Sequence, residues 1–137
     1  MDQELLSIVL LVILIFVIVI LIHINDSKTI NTKIRNRILK DLKHIEKLIE
    51  TKNPLVYRDA LIRLDSLLSK SLQTRFKNKK SCGENLKQAD FFDKKFYDRI
   101  WEVHKLRNEV VHEDKEVNLS DLQNSFKIIR KAIDKIL

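Results

Sequence analysis

The apolar positions change period twice along the chain, and those changes mark its parts. Leu5 to Ile22 is apolar at every position except Ser7, with Ile24 extending the run beyond His23. At a rise of about 1.5 Å per residue the run reaches roughly 27–31 Å, matching a bilayer core of about 30 Å. From Ile30 the pattern opens to every third or fourth residue (Ile30, Ile34, Ile38, Leu42, Ile45, then Leu48 or Ile49), which predicts an amphipathic helix over about 29–51. Asp26 or Asn31 is its candidate cap. Asn53-Pro54 then restarts the chain as an N-cap followed by Pro at the first helical position. The next helix runs to about Leu72, burying Val56, Ala60, Leu61, Leu64, Leu67, Leu68 and Leu72, with Asp59, Arg63 and Asp65 on its polar side.

Residues 71–83 lack a clear period and read as the least ordered stretch, followed by a short helical turn over 83–87. A central helix opens at Asp90 and carries Phe91, Phe92, Phe96, Ile100, Trp101, Val103, Leu106, Val110 and Val111 as its wide apolar face, ending near His112. The last helix starts with Ser120-Asp121-Leu122-Gln123, read as a capping box, and buries Leu122, Phe126, Ile129, Ala132, Ile133 and Ile136. With one Gly and one Pro in 137 residues, the chain is expected to be all-α. Three parts follow: an anchor over 1–25, a basic juxtamembrane helix over 26–53 and a helical domain over 54–137.

Charge gives the anchor a direction. Asp2 and Glu4 precede the apolar run and no base does, whereas Lys28, Lys33, Arg35, Arg37 and Lys40 follow it. The positive-inside bias then puts the N-terminus outside and the rest in the cytoplasm, as a single-pass protein of the inner (plasma) membrane. A cleaved signal peptide fits less well, since the leading residues are acidic, the apolar core is long and no A-x-A pattern follows. The run has no Gly, no small-x-x-x-small pair and no charge, so it reads as an anchor rather than a dimerisation or transport helix. The net charge of +7 favours anionic surroundings, either nucleic acid or the anionic leaflet. Arg75, Lys77, Lys79 and Lys80 form a run without acids, a candidate nucleic-acid-binding loop adding salt-dependent phosphate affinity. Cys82 is the only cysteine, which excludes an intramolecular disulfide and a zinc site built on cysteines.

Candidate chemistry sits in Trp101–Glu113, W-E-V-H-K-L-R-N-E-V-V-H-E. His104, Asn108 and His112 are spaced by four and form a stripe drifting about 40° per step. Arg107 and His112 are five apart, about 140° around a regular helix, so they meet only if the helix loosens at His112 or two copies pair. A His titrating near neutrality and a permanently charged Arg suit metal-free RNA cleavage by the 2′-hydroxyl. In that reading His112 moves the proton, Arg107 stabilises the developing charge and Asn108 orients His112. The plainer alternative is that Arg107, Asn108 and His112 hold the helix end and the following loop. His104 and His112 are eight apart without a carboxylate cluster, so no metal site is expected.

The segment Arg107-Asn108-Glu109-Val110-Val111-His112 resembles the R-x4–6-H signature of the HEPN superfamily, in the form with a polar residue after the Arg. W-x-x-H-K-x-R-N-x-x-x-H-E and the final helix near Ser120 are similar to small bacterial proteins of that kind, over residues 54–137. The resemblance implies a four- to five-helix up-and-down bundle, commonly a homodimer with the motif at the dimer cleft. It implies either a metal-independent endoribonuclease needing no cofactor, or a non-catalytic module for dimerisation or for binding RNA or a nucleotide. Arg107 and His112 match the family's catalytic pair, and Asn108 its polar position. Some members of that kind work in toxin systems, and the sequence does not identify an antitoxin or other protein partner for this chain. The anchor departs from the pattern of a soluble toxin.

Overall fold

In the computed structural model the backbone is described from Gln3 to Leu137 and side chains for residues 3–22 and 32–137. The regular structure of the described residues is all helical, with no strand: α1 Gln3–Glu50, a 3-10 turn Pro54–Val56, α2 Tyr57–Phe76, α3 Cys82–Lys87, α4 Lys94–His112 and α5 Leu119–Ile136. The chain divides into two compact units, Met1–Ile34 and Arg35–Leu137. Within the first, Gln3–Ile22 has a mean hydropathy of 3.8, is not buried by protein, and is long and apolar enough to cross a membrane. The candidate caps Asp26 and Asn31 lie outside the described side chains.

The second unit is built around α2, which packs on α3, α4 and α5, while α4 also packs on α5. Its core follows the periodicities that formed the helices. Ile38, Leu42, Ile45 and Ile49 of α1 are buried, as are Ala60, Leu61, Leu64, Leu67, Leu68 and Leu72 of α2. From α5 come Leu122, Phe126, Ile128, Ile129, Ala132, Ile133 and Ile136. Each fully buried Leu or Ile contributes about 1.5–3 kcal/mol relative to exposure, which is why the apolar stripes set the packing.

The helix starts differ from expectation where another side chain caps better. Asn53 does cap the turn at Pro54, its Oδ1 accepting from Leu55 N at 3.1 Å. The central helix opens at Asp93 rather than Asp90, because Asp93 Oδ1 accepts from Phe96 N at 2.9 Å. The last helix is capped by Asn118 rather than Ser120. Asn118 Oδ1 accepts from Asp121 N at 2.8 Å and its amide donates to Asp121 Oδ2 at 2.9 Å. Ser120 therefore sits inside the first turn of α5.

Residues 71–83 are more ordered than their composition implies. α2 continues to Phe76 and ends on Lys77, whose left-handed backbone (φ 51°, ψ 43°) lets its N–H reach Gln73 O. Beyond it, Asn78 and the buried Asn85 exchange amide hydrogen bonds at 2.8 and 3.0 Å, and Gln73 donates to Lys80 O at 2.8 Å. Ser81 and Glu84 then close a reciprocal capping box on α3.

Candidate functional site

Asp65 is the residue around which the site is built, although the sequence pattern puts it on the polar side of its helix. It lies four residues after Leu61 and three before Leu68, squarely in the buried stripe of α2, and is 3% exposed. That spacing is the signal by which the sequence marks it. α4 answers it with two side chains three residues apart, a separation that puts them on one helix face. His104 Nδ1 lies 2.8 Å from Asp65 Oδ1. Since an ionised carboxylate only accepts, His104 Nδ1 is the donor in this bond. Arg107 Nε is 3.6 Å from Asp65 Oδ2, an ion pair beyond hydrogen-bond reach. This Nε is buried without a hydrogen-bond partner, while Arg107 Nη1 donates to Asn108 Oδ1 at 2.9 Å.

α3 covers the pair from a third side. A Cβ built on Gly83 would sit 3.6 Å from both His104 Nε2 and Trp101, so the helix lies directly against those rings. Trp101 meets His104 edge to face, with centroids 5.7 Å apart. Cys82, next to Gly83, is buried, and its Sγ lies with a donor atom from Asp65 and one from His104 in a group in which no pair is more than 4.8 Å apart. Burial pushes the Cys82 thiol well above its ordinary range, with the negative charge of Asp65 adding to the shift. Helical spacing alone pairs His104 with His112; the structure brings it to Asp65 and Cys82 instead.

These residues open onto a pocket of about 640 Å³. Beyond Asp65, Cys82 and His104, its wall includes Arg107, Asn108, Lys70 and the hydroxyls of Ser66, Ser69 and Ser81. One acid against two fixed cations leaves the wall positive, and the hydroxyls and amides add neutral donors. Such a wall suits a phosphate oxygen better than an apolar ligand.

His112 is not part of that wall. α4 stays regular to His112, its last residue, which is exposed. The helix does not loosen before it, so the 140° offset from Arg107 remains and one chain does not join the pair over one ligand. Arg107 and Asn108 are thus brought together, and His112 stands apart from both. In the basic run, Arg75 is occupied by packing: its guanidinium lies 4.1 Å from the Phe91 ring centroid and donates to Ile136 O at 3.1 Å. Lys77, Lys79 and Lys80 are exposed.

Comparison with protein-family models, with curated proteins and with solved structures gives no match for this chain.

Proposed function

We propose that this chain is a membrane-anchored, HEPN-like helical module that binds an RNA or nucleotide phosphate in the cytoplasm. One observation carries the reading: Arg107 and Lys70 line the same polar pocket, with three serine hydroxyls and Asn108 beside them. Arg107 is held by Asp65 and Asn108 yet keeps 28% of its side chain exposed, so part of its guanidinium fork stays open to an anion. Gln3–Ile22 acts as the single span, with the N-terminus outside and the basic residues after it inside. Lys77, Lys79 and Lys80 extend the phosphate contact along the chain of a bound RNA.

A second reading, metal-independent endoribonuclease, is favoured by His112. Its exposed imidazole has no partner among the described residues and is free to reach a substrate. Because the two residues diverge within one chain, this chemistry belongs to a homodimer in which His112 faces the Arg107 of the second copy.

Both readings are tested on the full chain in detergent with labelled single-stranded RNA and EDTA. Arg107→Ala and Lys70→Ala weaken RNA binding; unchanged affinity in both variants overturns the binding site. RNA cleavage by the wild type that both Arg107→Ala and His112→Ala lose upholds the nuclease. RNA that stays bound and intact restricts the function to binding.

A further inference from the structure

We propose that Asp65, Cys82 and His104 form a binding site for a zinc-class divalent cation, independent of the phosphate reading. The three donors arrive from three helices, α2, α3 and α4, and all three side chains are almost wholly enclosed. Their donor atoms lie within 4.8 Å of one another. Bonds of about 2.0–2.3 Å in a tetrahedron put donors roughly 3.3–3.8 Å apart, so the widest pair closes by at most about 1–1.5 Å while Asp65 and His104, now 2.8 Å apart, open slightly.

The hydrogen bonding of the site points the same way. A carboxylate offers about four acceptor positions, yet Asp65 receives one hydrogen bond, from His104, with Arg107 too distant for a second. Its other acceptor positions are therefore open to a ligand, while the buried side-chain atom that lacks a hydrogen-bond partner among the described residues is Arg107 Nε. A cation held between Asp65 Oδ1 and His104 Nδ1 takes the place of the proton those atoms now share, which is released to solvent together with the Cys82 thiol proton. Arg107 beside Oδ2 serves as the outer partner that orients the carboxylate. The donor set selects the ion. One sulfur, one imidazole nitrogen and one carboxylate oxygen suit zinc and its first-row neighbours, whereas magnesium and calcium take oxygen ligands. Three protein ligands leave one position over, and all three residues line the 640 Å³ pocket, so that position faces the pocket. The competing account is a purely structural Asp65–His104–Arg107 cluster with an inert thiol beside it.

Cobalt(II) separates the two on the full, reduced chain in detergent. Because Cys82 is the only cysteine, a thiolate-to-cobalt charge-transfer band can arise only from it. The expected result is that band at one equivalent, with the strong visible absorption of a tetrahedral ion, both abolished by added Zn²⁺. Trp101 is the only tryptophan and lies 5.7 Å from the His104 ring, so the same titration quenches its fluorescence. Cys82→Ser, near-isosteric and checked for helicity by circular dichroism, loses the band and binds more than about tenfold more weakly, since even changes outside the ligands themselves cost about 10–100-fold. His104→Gln reduces the quenching in parallel. Absence of the band at saturating cobalt, or quenching of Trp101 that is equal in Cys82→Ser, overturns the site.

Discussion

Asp65 on α2 and His104 on α4 share a 2.8 Å hydrogen bond inside the helical core, and that bond ties the Leu-rich helix to the helix carrying Arg107. Removing the carboxylate leaves Arg107 half-buried with no countercharge. Breaking such a pair from one side costs about 3–5 kcal/mol, and the partial exposure of Arg107 puts Asp65→Ala near the lower end. Urea unfolding followed by circular dichroism measures the loss. A change below about 1 kcal/mol would mean that the carboxylate is not paired with Arg107 and His104 in the folded chain.

The same bond predicts coupling. His104→Ala strands one Asp65 acceptor and costs about 1–3 kcal/mol. If the two side chains act together, the double variant loses less than the sum of the single ones, by about 0.5–3 kcal/mol. Additive losses would show that His104 stabilises the core through its packing on Trp101 rather than through Asp65.

Arg75 and its lysine neighbours separate in function although the sequence reads them as one basic run. Arg75→Ala removes both the stacking on Phe91 and the hydrogen bond to the end of α5, so it costs about 1–3 kcal/mol of stability. Lys79→Ala and Lys80→Ala change stability by less than about 0.5 kcal/mol. If these lysines neutralise RNA phosphates, each substitution makes log affinity fall less steeply with log salt, by about 0.7 for every phosphate the lysine neutralises. RNA affinity measured from low to moderate salt, beside thermal unfolding, gives both readouts.

The helices were legible because their apolar residues recur at helical spacing: the buried positions expected on α2 and α5 are nearly all found there. The stretch 71–83 was less legible because its order rests on amide pairs, Asn78 with Asn85 and Gln73 with Lys80, which carry no hydrophobic period. Ser81-x-x-Glu84 was a readable start signal that the neighbouring lysines obscured. Half of the candidate site was visible in Arg107 and Asn108. The other half, Asp65 and Cys82, comes from α2 and α3, and only packing shows which face of α4 they meet. Asp65 could have been flagged from its place between Leu61 and Leu68, where an acid in an apolar stripe demands a partner.

The capping box on α3 gives a pH prediction whose sign is fixed by Glu84. Ser81 Oγ donates to Glu84 Oε2 at 2.6 Å and the Ser81 N–H donates to the same oxygen at 2.9 Å. The Ser81 hydroxyl first, and its backbone N–H second, hold the Glu84 carboxyl below the ordinary glutamate range. A carboxyl lowered by folding contributes stability that is present above its unfolded pKa of about 4.3 and is lost as pH falls through the folded value. α3 should therefore loosen as acid takes the pH below the unfolded glutamate value, and Glu84→Gln should flatten that part of the stability profile while leaving its alkaline side unchanged. Ser81→Ala removes the cap itself and costs about 0.5–2 kcal/mol at neutral pH. α3 carries Cys82, so loosening it also admits reagents to the thiol. Alkylation of Cys82 in the folded chain should be slow in the wild type and faster in Ser81→Ala at the same pH. Equal rates in the two proteins would mean that the box does not hold α3 over the pocket.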